Sequence, residues 1–399
     1  MKILILANKI PYPPKDGGSI ATLQMIRGLR DEGHRVTCLA MNTSKHPFPV
    51  EEIPEEERRG VTFTSVACDS SIRPLRMLYN LLFSRTPYIA ERFHIQEFGD
   101  RLKQLLEEKA YDLVQLEGPY TAHYLDEIRH HPAVRVALRT HNVEHLIWKS
   151  KAVHERSFLK RWYLRNMAER LRKYELEVIR KCDYLLGISE EDVTRFRSLG
   201  ASLPAIAVPT GISVREYEPS TLPAGPDIFF IGALDWLPNQ EGLIWFLEKV
   251  FPDLVKKVET LRFHVAGRNA PGRFLKKLRH PQIIYHGEVE DAREFMSDHR
   301  VMVAPLLTGS GIRIKILEAM ALGRPVVTTR TGIQGIPAIQ GRDVRVADDP
   351  VKFGAHLQLL INSEEIAREQ ADRALVFVRK NFDTFEISGR LSRFYASQV

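Results

Sequence analysis

Residues 301–329, VMVAPLLTGSGIRIKILEAMALGRPVVTT, decide how the sequence is interpreted. The first six residues are apolar, which is long enough for one buried strand. Gly309 and Gly311 allow a sharp turn, and apolar residues then recur at helical spacing until Gly323, at the position of a C-cap. A second apolar run follows Pro325. The stretch therefore predicts a strand, a tight turn, a helix and a second strand.

The charges of this helix predict an anion site. Arg313 and Lys315 lie in its first turn, where cations oppose the helix dipole. A bound phosphate or diphosphate would resolve the conflict, because backbone N–H groups and both cations could hold it. Glu318 shares that edge of the helix, and a carboxylate there suits the hydroxyls of a ribose. The alternative is a solvated helix with an ion pair between Lys315 and Glu318.

Length and composition indicate a globular protein of two domains. The chain has 399 residues, and 44% of them are hydrophobic. No apolar run is long enough for a transmembrane helix, and the N-terminus reads as a buried strand rather than a signal peptide. Three widely spaced cysteines fit a reducing compartment, so we expect a cytoplasmic protein.

The net charge is modestly positive, with 57 basic and 50 acidic residues. This excess suggests acidic ligands or an anionic surface. No nucleic-acid-binding motif with interleaved aromatic residues is visible, so we expect no nucleic-acid partner. No cysteine and histidine pair has metal-ligand spacing.

Strand and helix patterns alternate along the whole chain, which predicts an α/β fold with mostly parallel sheets. The pattern predicts two doubly wound, Rossmann-like domains facing a cleft, at residues 1–212 and 227–383. Residues 213–226 have the composition of a linker, and a last helix over about 384–399 is expected to pack back on the first domain.

Residues 145–181 form a long helical stretch in which basic residues outnumber acidic ones. Trp148, Phe158, Trp162 and Tyr163 are interleaved with them. One interpretation is a basic amphipathic surface that lies on an anionic membrane. The other is one or two ordinary solvated helices whose aromatic residues face the core.

The segment GSGIRIKILEAMALGRPVVTT resembles the signature of glycosyltransferase family 4, retaining sugar transferases of GT-B fold. Other segments resemble the family in the same order, and together they cover nearly the whole chain. They are PYPPKDGGSIATLQMIRGL, RTHNVEH, CDYLLGISEEDV, VPTGISVREYEP, FFIGALDWLPNQEGLIWFL, FHVAGRN and YHGEVED. The resemblance is strongest to bacterial members associated with exopolysaccharide assembly.

The resemblance implies roles for individual residues. His141 would lie beside the donor sugar. Gly17 and Gly18, which the sequence pattern places in the turn before the first helix, would let the backbone approach the donor phosphate. Arg313 and Lys315 would hold the diphosphate, while Glu318 would bind the ribose. The catalytic candidates are His141 and Gly18, and the donor-binding candidates are Gly17, Gly18, Gly232, Arg268, Ser310, Gly311, Arg313, Lys315 and Glu318.

The sequence departs from the family pattern at three positions. Ser310 stands where the family often has the first of two glutamates, the one that contacts the donor sugar. The basic pair common after the first strand of the second domain is absent from GALDWLPNQEG, so Arg313 and Lys315, or Arg268, would replace it. Ser213 stands in place of the usual acidic residue of the crossing segment.

The implied activity is retaining transfer of a sugar from a nucleotide-diphosphate donor to a glycan or lipid-linked glycan acceptor, in cell-surface polysaccharide synthesis. No Asp-x-Asp motif occurs, so neither a metal nor another cofactor is expected. The alternatives are a nucleotide-sugar epimerase of GT-B fold and a non-catalytic sugar-nucleotide-binding protein. A nucleotide-linked oxidoreductase is disfavoured, because Ile314 stands at the third glycine of the dinucleotide motif.

Overall fold

The computed structural model describes residues 1–14, 16–45, 47–309 and 311–398, which divide into two compact units. Unit 1 contains residues 1–210 together with the chain from Ile387 onward, and unit 2 contains Gly211–Glu386. Residues 213–226, predicted as a linker, belong to unit 2. The buried Arg324 holds them there by donating to Ser220 Oγ at 2.7 Å and to the Thr221 carbonyl at 3.3 Å.

Unit 1 contains a parallel sheet with helices between its strands. Within the described residues its strands are β1 (Lys2–Ala7), β2 (Arg35–Thr43), β3 (Val61–Cys68), β4 (Leu113–Glu117), β5 (Arg135–Arg139), β6 (Tyr184–Gly187) and β7 (Ala205–Ala207). Its helices are α1 (Gly17–Asp31), α2 (Glu55–Arg58), α3 (Pro74–Phe83), α4 (Tyr88–Glu91), α5 (Gln96–Glu108), α6 (Leu125–Arg129), α7 (Glu144–His154), α8 (Phe158–Lys181) and α9 (Glu190–Ser198). The strand order is β3-β2-β1-β4-β5-β6-β7.

The central strand β1 shows why this sheet is buried on both faces. Leu4 and Leu6 belong to one apolar cluster, and Ile3 and Ile5 belong to another on the opposite face. An apolar run without polar alternation is typical of a parallel strand covered by helices on both sides.

Unit 2 has the same architecture. Within the described residues its strands are β8 (Asp227–Ile231), β9 (Arg262–Ala266), β10 (Ile283–Gly287), β11 (Val301–Ala304), β12 (Val326–Thr328) and β13 (Arg345–Val346). Its helices are α10 (Leu237–Lys249), α11 (Phe251–Lys257), α12 (Gly272–Leu275), α13 (Ala292–Ser297), α14 (Ile314–Ala321), α15 (Pro350–Asn362) and α16 (Glu364–Phe382). The strand order is β10-β9-β8-β11-β12-β13, with parallel neighbours.

The last helix, α17 (Thr384–Ala396), returns to unit 1, which contains its residues from Ile387. Tyr395 donates from its hydroxyl to Gln115 Oε1 at 2.9 Å, and Ser392 Oγ lies 2.8 Å from His34 Nε2. Short 3-10 helices lie at Val50–Glu52, Pro119–Tyr124, Val214–Glu216 and Lys276–Leu278.

The order of strands reverses between β1 and β4 in unit 1 and between β8 and β11 in unit 2. Ligands of doubly wound sheets bind outside the carboxyl ends of the strands at such a reversal. In unit 2 the backbone is closely packed there. A Cβ added to Gly267 would lie 2.0 Å from the Gly232 carbonyl oxygen, and one added to Gly242 would lie 1.9 Å from the Pro305 carbonyl oxygen.

One local prediction becomes more definite, and another is wrong. The helical stretch predicted over 145–181 consists of two helices, because α7 ends at His154 and α8 begins at Phe158. Gly17 and Gly18 are not in the turn before the first helix but are its first two residues. Among the helices that the structure describes, none combines the length and apolarity needed to cross a membrane.

Candidate functional site

The reversal point of unit 2 brings together the residues that follow β8 and β11. Gly232 follows β8 in a left-handed conformation, with φ of 156°. A Cβ at this position would lie 3.1 Å from Lys315 Nζ and 3.1 Å from Asn239 Nδ2. Glycine therefore makes room for a cation at the end of β8.

Lys315 is held in a half-buried position by neutral groups. Its Nζ lies 3.1 Å from Asn239 Oδ1 and 4.0 Å from the ring centroid of Phe230. Burial and the nearby charge of Arg313 lower the pKa of Lys315 to about 7, and the charge of Glu318 opposes this shift only in part. The ammonium group therefore lacks a matching counter-charge, which an anion at this point would supply.

Arg313 is the N-cap residue of α14 and not part of its first turn, because the helix begins at Ile314. It donates from Nη1 to the Gly311 carbonyl at 2.5 Å, and burial lowers its pKa. Gly309 and Gly311 both have positive φ, 105° and 84°, as the sharp turn requires. Ser310, a donor-binding candidate, lies outside the described residues.

Glu318 lies one turn further along α14. Tyr217 donates to its Oε1 at 2.9 Å. Burial raises the pKa of Glu318, although the bond from Tyr217 and the charges of Arg293 and Lys315 oppose the shift. The carboxylate has a second oxygen for hydroxyl groups of a ligand.

Arg268 is at the same edge of the sheet. It is exposed, it follows β9, and its carbonyl accepts from the Leu234 N–H at 2.9 Å. The structure thus brings Gly232, Gly311, Arg313, Lys315 and Glu318 to one end of the unit 2 sheet, and Arg268 lies just after the neighbouring strand β9.

A buried carboxylate organises the reversal point of unit 1. Glu117 is the last residue of β4, and its Oε2 accepts from Thr22 at 3.0 Å and Arg139 at 3.1 Å. His141 Nε2 lies 2.8 Å from the same oxygen, and Gln115 donates to Oε1 at 2.6 Å. Burial opposes ionisation, but the charge of Arg139 and the bond from His141 outweigh it and lower the pKa of Glu117 to about 2.

Glu117 thereby fixes the orientation of His141. Because a carboxylate only accepts hydrogen bonds, His141 Nε2 carries the proton between them. His141 Nδ1 is buried and has no hydrogen-bond partner among the described residues. This nitrogen can serve a ligand as acceptor, or as donor once the ring is protonated.

The N-terminus of α1 is already occupied by a side chain. Asp16 accepts from the N–H groups of Gly18 at 3.0 Å and Ser19 at 3.1 Å, and it pairs with Lys9 at 2.5 Å. Burial opposes ionisation of Asp16, but these bonds lower its pKa. A phosphate that used the Gly18 N–H would compete with this carboxylate, whereas the exposed Gly17 is open to a ligand.

Sequence reasoning missed the residues that position these candidates. Glu117 ends an apolar strand, which was a usable signal, since a charged residue there faces the binding edge of the sheet. Asn239 and Tyr217 carry no such signal, because amide and hydroxyl side chains are common in loops and helix starts.

Two family models match successive parts of the chain. The model described as Glycosyltransferase Family 4 matches residues 15–216, and the model described as Glycosyl transferases group 1 matches residues 225–363. A protein of Klebsiella pneumoniae, described as an uncharacterized 44.6 kDa protein in cps region, is 25% identical over 398 residues and is matched over 97% of each chain.

Solved structures show the same fold at low identity. Sucrose-phosphate synthase from Thermosynechococcus elongatus has a TM-score of 0.70 at 15% identity, covering 100% of this chain and 99% of that one. HepE from Anabaena, in complex with UDP, has a TM-score of 0.71 at 13% identity over 100% of both chains. These likenesses confirm the predicted two-domain fold, GT-B.

The Glu117 network predicts a large cost for removing its permanent cation. Arg139→Ala leaves a buried carboxylate without its strongest partner and should lower the free energy of unfolding by about 3–5 kcal/mol. Adding Glu117→Gln should recover part of this loss. Urea denaturation followed by circular dichroism measures both values.

Arg172→Ala is the matched control, because Arg172 pairs with Glu169 at 2.7 Å on the surface. Arg172→Ala should lower the free energy of unfolding far less than Arg139→Ala does, because water screens an exposed ion pair. If Arg139→Ala and Arg172→Ala lowered the free energy of unfolding equally, burial of the Glu117 network would contribute nothing to stability.

Proposed function

This chain belongs to glycosyltransferase family 4, and from that premise we propose that it is a retaining enzyme transferring a sugar from a nucleotide-diphosphate donor to a glycan or lipid-linked glycan acceptor. Cell-surface polysaccharide synthesis is the proposed setting. The relative whose description places it in a cps region supports this setting.

The observation that carries the proposal is the group of charges at the reversal point of unit 2. Lys315 and Arg313 lie near the start of α14, where helix N–H groups also favour an anion. Glu318 lies one turn beyond, within reach of a sugar attached to that anion. We assign the diphosphate to the two cations and the ribose hydroxyls to Glu318. The complexes of HepE with UDP and UDP-glucose make a uridine nucleotide the first donor to test.

The chemistry follows from stabilisation of the leaving group. As the bond between the anomeric carbon and the diphosphate oxygen breaks, negative charge grows on the diphosphate beside Arg313 and Lys315. The new bond to the acceptor oxygen forms on the same face, and the acceptor proton passes to the leaving phosphate. We assign His141, oriented by Glu117, to the donor sugar. The two cations take the role that a metal has elsewhere, so we propose that neither a metal nor another cofactor takes part.

An unusual helix in unit 1 supports a lipid-linked acceptor. The apolar stripe of α3 faces solvent, while its Asn80 is buried. Arg170 of α8 donates to Asn80 Oδ1 at 3.0 Å and to the Ser84 carbonyl at 2.6 Å, which holds α3 in this orientation. The large exposed apolar side chains of α3 are Leu75, Leu78, Tyr79, Leu82 and Phe83.

The start of α8 adds a second exposed group. Phe158, Leu159 and Trp162 are all more than half exposed, and Lys160 and Arg161 stand between them. Apolar side chains among cations are typical of helices that lie in a membrane interface. Trp148 is different, since it packs against the core. We propose that α3 and the start of α8 rest on an anionic membrane.

A cavity beside α3 suits the charged part of such an acceptor. It has a volume of about 590 Å³, and its lining contains three arginines and three carboxylates: Arg73, Arg76, Arg92, Asp69, Glu91 and Glu97. Arg73 pairs with Asp69 at 2.7 Å. Arg92 Nε is buried and makes no hydrogen bond among the described residues. Arg92 therefore offers a guanidinium donor to a phosphate group joined to a lipid chain.

The first test is donor recognition by Glu318. Glu318→Gln removes the charged acceptor of the ribose hydroxyls and should weaken UDP binding roughly 10- to 100-fold, with a parallel loss of transfer. UDP lacking both ribose hydroxyls should bind wild type and variant alike. Calorimetry measures the affinities, and product NMR measures the transfer and the retained anomer.

Glu365→Ala, which changes an exposed glutamate of α16, is the control and should change neither quantity. Normal transfer by Glu318→Gln would refute the site. Release of free nucleotide without an acceptor-dependent product would favour the epimerase, and binding without turnover would favour the non-catalytic protein.

The second test uses the lowered pKa of Lys315, about 7. Since only the ammonium form attracts a diphosphate, UDP affinity should fall as pH rises from about 7 to 9, by up to about tenfold per unit. The terminal phosphate is already ionised in this range. Lys315→Met should bind weakly at every pH, and Lys315→Arg should bind without the decline. A flat wild-type profile would contradict the assignment of Lys315 to the phosphates.

The third test addresses the membrane. Leu82→Glu and Phe158→Glu place a negative charge on side chains that are 65% and 76% exposed, and each should reduce sedimentation with vesicles of phosphatidylcholine and phosphatidylglycerol. Wild-type binding should weaken with added salt. Val376→Glu alters an equally exposed residue of unit 2 and serves as the control. Vesicle binding that is absent in the wild type, or equal in all variants, would refute the surface.

A further inference from the structure

Three histidine side chains meet on one face of the unit 2 sheet. His264 lies in the middle of β9, His286 lies in the neighbouring edge strand β10, and His299 follows α13. One nitrogen from each ring lies within 4.8 Å of the other two. His264 and His299 are buried, whereas His286 is exposed, so water can reach the cluster from one side.

The contacts of the ring nitrogens show how the cluster is arranged. His299 Nδ1 lies 2.6 Å from the Phe295 carbonyl oxygen, so Nδ1 carries the proton and Nε2 carries the lone pair. His264 Nδ1 and His286 Nε2 are 3.0 Å apart. Two nitrogens bound to one tetrahedral zinc ion, each at about 2.0–2.1 Å, have a similar separation of roughly 3.3 Å.

The opposite nitrogen of His264 provides a second, independent observation. His264 Nε2 is buried and has no hydrogen-bond partner among the described residues. Asp227 Oδ1 lies 4.0 Å from it. When Nδ1 binds a metal, Nε2 must carry the ring proton and faces this carboxylate. Histidine ligands commonly have such a carboxylate on the far nitrogen.

We propose that His264, His286 and His299 bind one divalent transition-metal ion of the zinc type. Three imidazole ligands and a water molecule on the exposed side of His286 complete a tetrahedral site. Asp227 is the first residue of β8, whereas Gly232 follows its last residue, so the carboxylate stands at the opposite end of that strand from the nucleotide site. Bound there, the metal ties the edge strand β10 to the end of α13.

The test uses the full-length chain without an affinity tag, stripped with a chelator and then dialysed. Calorimetry with ZnCl2 should show one equivalent bound, and Co²⁺ should give the intense visible bands of a tetrahedral site. Zinc should also raise the midpoint of thermal unfolding. His286→Ala should lower zinc affinity at least about tenfold, since one ligand is lost. It should leave transfer unchanged.

His130→Ala removes an exposed histidine of unit 1 and is the matched control, expected to bind zinc as the wild type does. Circular dichroism checks that His286→Ala is folded. If His286→Ala does not fold, the Co²⁺ spectrum of the wild type tests the proposal instead. Absence of tetrahedral bands, substoichiometric zinc, or equal affinity in wild type and a folded His286→Ala would overturn the proposal.

Discussion

The arrangement of unit 1 depends on one buried negative charge. Glu117 is the last residue of the strand at the reversal point. Its carboxylate accepts hydrogen bonds from Thr22 of α1, Arg139 of β5 and His141 of the loop after β5. A carboxylate in this position is stable only while its partners remain, because burial of an unpaired ion costs several kcal/mol. The same interaction that holds α1 against the sheet therefore also sets the direction of His141. Stability and the orientation of a candidate catalytic group are not separable here.

At the reversal point of unit 2 the charge is positive and is not fully neutralised, whereas unit 1 has a buried carboxylate with its partners in place. Lys315 is packed on the ring of Phe230 and bonded to the neutral Asn239, with the second cation of Arg313 nearby. Nothing in this group neutralises the ammonium fully. An enzyme whose task is to stabilise a growing anion benefits from this state, because a cation already matched by a protein carboxylate has less to offer a transition state.

The sequence predicted the fold well because its signals are local. Alternating apolar runs and helical patterns predicted the parallel α/β architecture, and Gly323 does follow α14 in a left-handed conformation. The residues that position the candidate site were not predicted, because their contacts join positions that are far apart in the sequence. Glu117 and His141 meet through neighbouring strands, and the three histidines of unit 2 share no short motif. The orientation of α3 was also beyond a sequence pattern, since an apolar stripe at helical spacing predicts a face that packs against the core.

That orientation of α3 links surface attachment to stability. Five large apolar side chains of α3 are between 54% and 84% exposed. Covering each would therefore gain only part of the roughly 1.5–3 kcal/mol that full burial of a fully exposed side chain contributes. Any surface that covers the stripe in the folded state alone therefore shifts the folding equilibrium toward that state. Rotation of α3 cannot bury the apolar stripe instead, because it would break the hydrogen bond that Arg170 donates to Asn80 on the opposite face of the helix. The form of the chain with α3 covered is accordingly the more resistant to heat and to proteolysis, and the dissolved form is the one at risk of self-association.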